Sequence, residues 1–307
     1  MEDRFANLVT ASQNKFPILK LPDEAKMKVV RSMESKDQVS LSYCSKAAKK
    51  LIIALKVTTN FFTVEINIDR WIINASFNDF RIRHEMCLRS PDSPEAEFKY
   101  HLNYLLSILN RSHINRLYFQ WSCDIYNINE ILKILSGRKI RTLIISPTIN
   151  DDVFCHILNS KIHSYQLELQ RNPFKNPLEI QKVFNRNYEH IYLYISLKLD
   201  DLLIMNSEKI YIYESILTEK HLNIFLKLWQ KGSNHRLKML EICVKKELNE
   251  GAIMDGIQFE SNMEEREFEN HQKINEGLHV KKMDGTKATI VLTVFPNISF
   301  FDFFVFH

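Results

Sequence analysis

The sequence predicts a mixed protein, α+β at its start and α/β beyond: a small three-helix module, a connecting region, and a long alternation of strands and helices closed by a C-terminal β-hairpin. Three observations carry this expectation. Short apolar stripes with helical spacing fill residues 14–57, an apolar-x-x-L-x-L pattern recurs from residue 113 to the region before a final Asp284-Gly285 turn, and strand-like runs with a Pro- and Ser-rich loop occupy residues 58–112. The expected divisions are thus 14–57, 58–112 and 113–307.

Composition narrows the function classes. A hydrophobic share of 45% with 25% charged residues is that of a folded chain, and 307 residues suffice for about two domains. The formal charge of +4 is too small for an electrostatic footprint on nucleic acid. The 6 glycines, at 137, 232, 251, 256, 277 and 285, match neither the dinucleotide fingerprint nor the P-loop, both of which need clustered glycines so that backbone can approach a phosphate. Five cysteines (Cys44, Cys87, Cys123, Cys155, Cys243) form no C-x-x-C pair, which fits a reducing compartment. No signal-peptide core and no apolar run near the roughly 18 residues of a bilayer span is present, so a cytoplasmic or nuclear chain with no membrane partner is expected.

In the N-terminal module, Leu21-Pro22-Asp23-Glu24 reads as a helix start, with Pro near N1 and two carboxylates facing the positive end of the helix dipole. Ala25, Val29 and Met33 then recur every four residues on one face. A break at Glu34–Asp37 should precede a second short helix holding Val39, Leu41 and Tyr43, and Ser45 can cap a third through Leu51, Ile52 and Leu55. About 40 residues are too few to be stable alone, so the apolar stripe is left for another protein or for the rest of the chain.

The run FPILKLPDEAKMKVVRSMESKDQVSLSYCSKAAKKLI resembles the F-box: Leu21-Pro22, Val29, Met33, Asp37, Leu41, Cys44-Ser45-Lys46 and Leu51-Ile52 sit where that family places its motif residues. Lys26 and Gln38 depart, standing where the family usually carries leucine or another apolar side chain. The resemblance implies a Skp-type adaptor as partner, held through Leu21, Pro22, Ala25, Val29, Val30, Met33, Val39, Leu41, Cys44 and Ser45.

Beyond residue 113 the degenerate repeats are Ile114-x-x-Leu117-x-Phe119, Ile140-x-x-Leu143-x-Ile145, Leu167-x-Leu169, Tyr188-x-x-Ile191-x-Leu193, Ile210-x-Ile212 and Leu237-x-x-Leu240-x-Ile242. Steps of roughly two dozen residues suit one strand and one helix per unit. Helical spacing follows at Ile128–Leu135, Val153–Leu158 and Leu222–Trp229. The pattern resembles a degenerate leucine-rich-repeat-like β/α solenoid. Asp284-Gly285 between Leu278 and Val294 signals a type I′ hairpin that closes the last repeat, and the charged stretch from Glu260 to Glu276 should be a solvated loop or surface helix.

Leu228–Leu237 (LWQKGSNHRL) and Asp284–Ile290 (DGTKATI) resemble type-2 F-box-associated domains, so that nearly the whole chain is similar to nematode F-box proteins carrying that domain. This resemblance implies a non-catalytic substrate receptor of a cullin-RING (SCF-type) ubiquitin ligase, joined through a Skp-type adaptor to a cullin and through its C-terminal domain to a target protein. The departures at Lys26 and Gln38 leave a second reading open, a repeat-type interaction scaffold that does not bind the adaptor.

Searches for chemistry yield no catalytic residues, metal or cofactor. There is no HExxH, His84-Glu85-Met86-Cys87 offers two ligands where a structural zinc needs four, and Cys155-His156 are neighbours that a helix points apart. A binding surface does emerge. In Ile191-Tyr192-Leu193-Tyr194-Ile195 and Ile210-Tyr211-Ile212-Tyr213, strict alternation sends aliphatics to one sheet face and four tyrosines to the other. With Tyr118 and Glu168, flanked by Gln120, Gln170 and Glu241, these are the expected target-binding residues, tyrosine offering large area at low conformational cost. Packing under the C-terminal hairpin, or simple β propensity, would account for them equally.

Overall fold

The computed structural model describes residues 18–66, 70–77, 81–87, 94–120, 127–261, 266–268, 272–274 and 277–306. The chain forms two compact units: Met1–Phe61 with Asn74–Arg83 and Lys99–Ser112, and Phe62–Ile73 with His84–Phe98 and His113–His307.

The first unit is built on three short helices, α1 (Asp23–Arg31), α2 (Ser35–Ser42) and α3 (Lys46–Leu55). Pro22 stands at the N-cap of α1, and Asp23 and Glu24 occupy its first turn. Ser45 caps α3 by accepting from the Ala48 amide at 3.1 Å. The interruption between the first two helices is shorter than the sequence suggests, since Ser35 already belongs to α2. Val30, Val39, Ala48 and Ile52 are essentially inaccessible and make the core. Residues 99–112, expected as strand and loop, instead include the end of a 15-residue helix, α4 (Pro94–Ile108). Its buried Leu102, Leu105 and Leu106, with Leu109 just past its end, lie at helical spacing. Within the unit, Tyr104 stacks on Tyr43 with centroids 4.6 Å apart, donates its hydroxyl to Ser42 Oγ at 3.0 Å, and lies 4.1 Å from Lys49 Nζ. A helical module too small to bury a core by itself thus gains a fourth apolar segment from its own chain.

The second unit is dominated by a sheet of 12 strands in the order β12-β13-β14-β9-β8-β7-β6-β5-β4-β1-β2-β3. The strands are β1 (Phe61–Ile66), β2 (Arg70–Ser76), β3 (Arg81–Cys87), β4 (His113–Phe119), β5 (Lys139–Ile145), β6 (Ser164–Leu169), β7 (His190–Leu193), β8 (Lys209–Ser215), β9 (Met239–Val244), β12 (Leu278–Lys281), β13 (Lys287–Phe295) and β14 (Ile298–Phe306). From β4 to β9 neighbours are parallel and consecutive in the chain, and helices α5 (Ile128–Leu135), α6 (Asp151–Asn159), α7 (Pro177–Phe184), α8 (Leu199–Ile204) and α9 (Glu219–Gln230) fill the intervals. Parallel pairing requires such crossovers. Asparagine side chains start three of these helices, Asn127, Asn150 and Asn176 each accepting a first-turn amide; a short α10 (Glu250–Met254) after β9 is capped by Asn249 in the same way.

The register aligns Leu117, Leu143, Leu167, Ile191, Ile210, Leu240 and Phe303 in one row across seven strands, and all are buried. Helix α9 seals this face, with Trp229 and Phe225 meeting Phe303 edge-on at 4.9 and 5.8 Å.

The C-terminal block differs from the hairpin expected. It has three antiparallel strands, and β14, not the Asp284-Gly285 hairpin, pairs with β9. The turn itself is not type I′, which needs positive φ at both central residues: only Gly285 is positive, at 95°, while the Gly285 amide donates to Lys282 O (3.1 Å) and the Lys282 amide to Thr286 O (2.9 Å), a type I turn with a bulge. Asp284 instead accepts the Thr286 amide at 2.8 Å.

The charged stretch 260–276 also departs from expectation. Its described residues form two short antiparallel strands, β10 (Arg266–Phe268) and β11 (Gln272–Ile274), because Phe268 and Ile274 bury themselves against Phe304. Cys44, Cys155 and Cys243 are free thiols, whereas Cys123 and the side chain of Cys87 lie outside the described residues.

Candidate interaction surfaces

On the helical module the ten residues expected to hold an adaptor separate into two groups. Leu21, Ala25, Val29, Met33 and Leu41 are half-buried, and Pro22, Cys44 and Ser45 are exposed. Val30 and Val39 belong to the core, at 0% and 4% accessibility, and so hold the module together without presenting a surface. Beside this surface Leu19, Met27, Leu51 and Ala54 line a shallow apolar groove. The two departing residues have local roles. Gln38 donates its amide to Val30 O and Met33 O, at 2.9 and 3.2 Å, adding to the Met33 amide that Val30 O already accepts and satisfying Met33 O beyond the end of α1. Lys26 bonds Asp23 at 2.9 Å and holds that carboxyl below the usual range.

The second surface is the open face of the sheet. Glu168, Tyr192, Tyr211, Glu241 and Asp302 lie in one row over five adjacent strands. Tyr192 and Tyr211 stack at 4.7 Å with planes 10° apart, and Tyr194 and Tyr213 do so at 4.5 Å and 16°. Their spacing is that of the strands beneath, so the rings stand on edge as ladders. The four expected tyrosines are therefore brought together, with Glu168 beside them. Tyr118 stands two strands further along the row, beyond Ile144, and accepts from Arg116 at 3.3 Å. The β10–β11 pair covers one margin, where Phe268 packs against Met239 and Phe304, while Tyr194 stays 39% exposed.

Electrostatically the row carries three carboxylates and is partly dry, with Arg116 and Lys209 in the next row of the same face. Burial, then the Glu241 charge, pushes Asp302 up to about 6, and burial also raises Glu241. Burial and neighbouring groups push Tyr213 up to about 12. Among the described residues neither Glu241 nor Asp302 is ion-paired. Sequence reasoning missed Asp302 and His190, whose ring lies 6.1 Å from both Tyr192 and Tyr211. The signal for Asp302 was a lone acid inside the phenylalanine-rich ISFFDFFVF strand.

Elsewhere, Cys155 is a packed thiol that donates to Pro173 O and is raised by burial and by Asp151, and His156 bonds Asn129 at 2.6 Å. No group of three His, Cys, Asp or Glu residues among those described could hold a metal, and the side chains of His84–Cys87 lie outside them. Among the described residues no helix is long and apolar enough to cross a membrane.

The chain thus combines a small helical module with a large mixed sheet that carries an aromatic open face. Residues 18–60 match the F-box domain family, and residues 179–242 match the family described as F-box associated, so the chain carries an F-box followed by an F-box-associated domain. The second match runs from within α7 into β9 and contains all four stacked tyrosines. Over 315 aligned residues the chain is 26% identical to a Caenorhabditis elegans protein described as F-box associated domain-containing protein sdz-33, covering 95% of this chain and 98% of the relative. Neither matched domain is of an enzymatic kind; both are typically non-catalytic adaptors.

Proposed function

We propose that this chain is a substrate receptor of an SCF-type ubiquitin ligase, binding a Skp-type adaptor, and through it a cullin, with its helical module and a target protein with the open sheet face. The observation that carries the reading is the F-box at residues 18–60, since F-box domains generally serve this role. The partly exposed Leu21, Ala25, Val29 and Met33 supply the apolar surface it needs. The strand–helix alternation from β4 to β9, with core residues aligned row on row, supports reading the second domain as a degenerate leucine-rich-repeat-like solenoid whose open face holds the target. Such a chain performs no bond chemistry; it supplies proximity, holding a target where the ligase can reach it.

The test is co-purification of the full chain with a Skp-type adaptor, beside a Leu21→Ala, Met33→Ala variant checked for folding. Stable binding that the variant loses, with truncation of Leu21 alone costing on the order of 2 kcal/mol, is expected. A folded wild type that captures no adaptor would replace the receptor with the adaptor-free scaffold.

A further inference from the structure

The row of acids and rings on the open face has a definite chemistry. We infer that it binds an exposed basic segment of a partner protein, with arginine as the preferred side chain. The inference rests on the receptor reading for its biological meaning and specifies the class of target.

Three features converge. The register places a carboxylate on each outer side of the Tyr192–Tyr211 stack, Glu168 on β6 and Glu241 on β9. A planar guanidinium laid against either ring could therefore meet a carboxylate at its edge, a combination that an ammonium fills less well. Glu241 and Asp302 are half-buried and carry no ion pair among the described residues, so that a cation arriving from outside relieves a charge the fold leaves uncompensated. Finally, the cations of the neighbouring row are already engaged, Arg116 donating to Tyr118 and Lys209 lying 5.8 Å from the Phe268 ring, and Lys245 pairs with Glu214 at 3.0 Å. The upper border adds exposed apolar contact area at Tyr194 and Phe295, and Phe295 meets Phe300 edge-on. A row of carboxylates beside open aromatic rings is complementary to a positive segment and disfavours an acidic one.

The experiment uses the full chain and fluorescein-labelled twelve-residue peptides in which serine alternates with arginine, citrulline or glutamate, read by fluorescence anisotropy. Saturable binding of the arginine peptide is expected, with at least tenfold weaker binding of the citrulline peptide, which keeps the shape and loses the charge, and none of the glutamate peptide. The isosteric pair Glu241→Gln, Asp302→Asn should weaken the arginine peptide at least tenfold while adaptor co-purification stays unchanged. The same affinity for arginine and citrulline, no binding to wild type, or binding indifferent to the double variant would each overturn the inference. Adaptor capture is scored separately, so loss of adaptor binding with peptide binding intact would sink the receptor reading and leave this one standing.

Discussion

Glu241 on β9 and Asp302 on β14 stand directly opposite one another in an antiparallel pair. Like charges so placed oppose each other's ionisation, and partial burial adds to the effect. Because Asp302 titrates near 6 in the folded chain and at its ordinary acidic value when unfolded, the folded state binds the extra proton. The contribution of Asp302 to stability should therefore fall as pH rises from about 4 to 6. Asp302→Asn removes that loss: a gain on the order of 1–3 kcal/mol is expected at pH 7.5 and almost none at pH 4. Urea denaturation at the two pH values measures it, and equal gains at both would contradict the assignment.

The alternation along β14 predicts an asymmetry between neighbouring phenylalanines. Phe303 is fully buried against Trp229 and Phe225, whereas Phe300 is half-exposed on the open face. Phe303→Ala should cost about 3–5 kcal/mol and Phe300→Ala about 1 kcal/mol. Comparable losses in denaturant midpoint would mean that the faces are wrongly assigned.

Gln38 fills a place usually apolar in its family by donating to two carbonyls at the end of α1. Gln38→Leu should leave Met33 O without its partner, while Val30 O keeps the Met33 amide, at a cost of about 1 kcal/mol, visible as roughly fivefold faster amide hydrogen exchange across residues 23–42. Unchanged exchange would show that solvent satisfies Met33 O as well.

Gly277 has φ 152°, and a Cβ there would lie 2.5 Å from Ile290 O and 2.6 Å from Thr289 Cγ2. Gly277→Ala must displace β12 from β13, and a loss of about 2 kcal/mol or more is expected. Hydrogen exchange at Val280, paired with Ala288 on β13, reports it directly; intact protection with full stability would exclude the clash.

What the sequence made legible follows from range. The buried rows from Leu117 to Leu240 could be read because each strand alternates within a few residues, and the tyrosine ladder emerged for the same reason. Phe268 and Ile274 were hidden because two anchors in a charged run make no period. The Glu241–Asp302 pair joins strands some sixty residues apart, and no local pattern reports which antiparallel register they adopt. At residues 94–108 the leucine stripe was readable, but the preceding Pro- and Ser-rich stretch drew attention to a loop.

Strand β14 follows β13 in the chain, yet it lies between β13 and β9 in the sheet. The helical crossovers can assemble their strands in order of synthesis, but β12 and β13 have no route onto the sheet until β14 exists to bridge them. Completion of this sheet must therefore wait for residues 298–306 to clear the ribosome, and a stop codon placed before Ile298 would expose two unpaired strand edges, one on β9 and one on β13. A chain cut at that point would become a candidate for aggregation and removal.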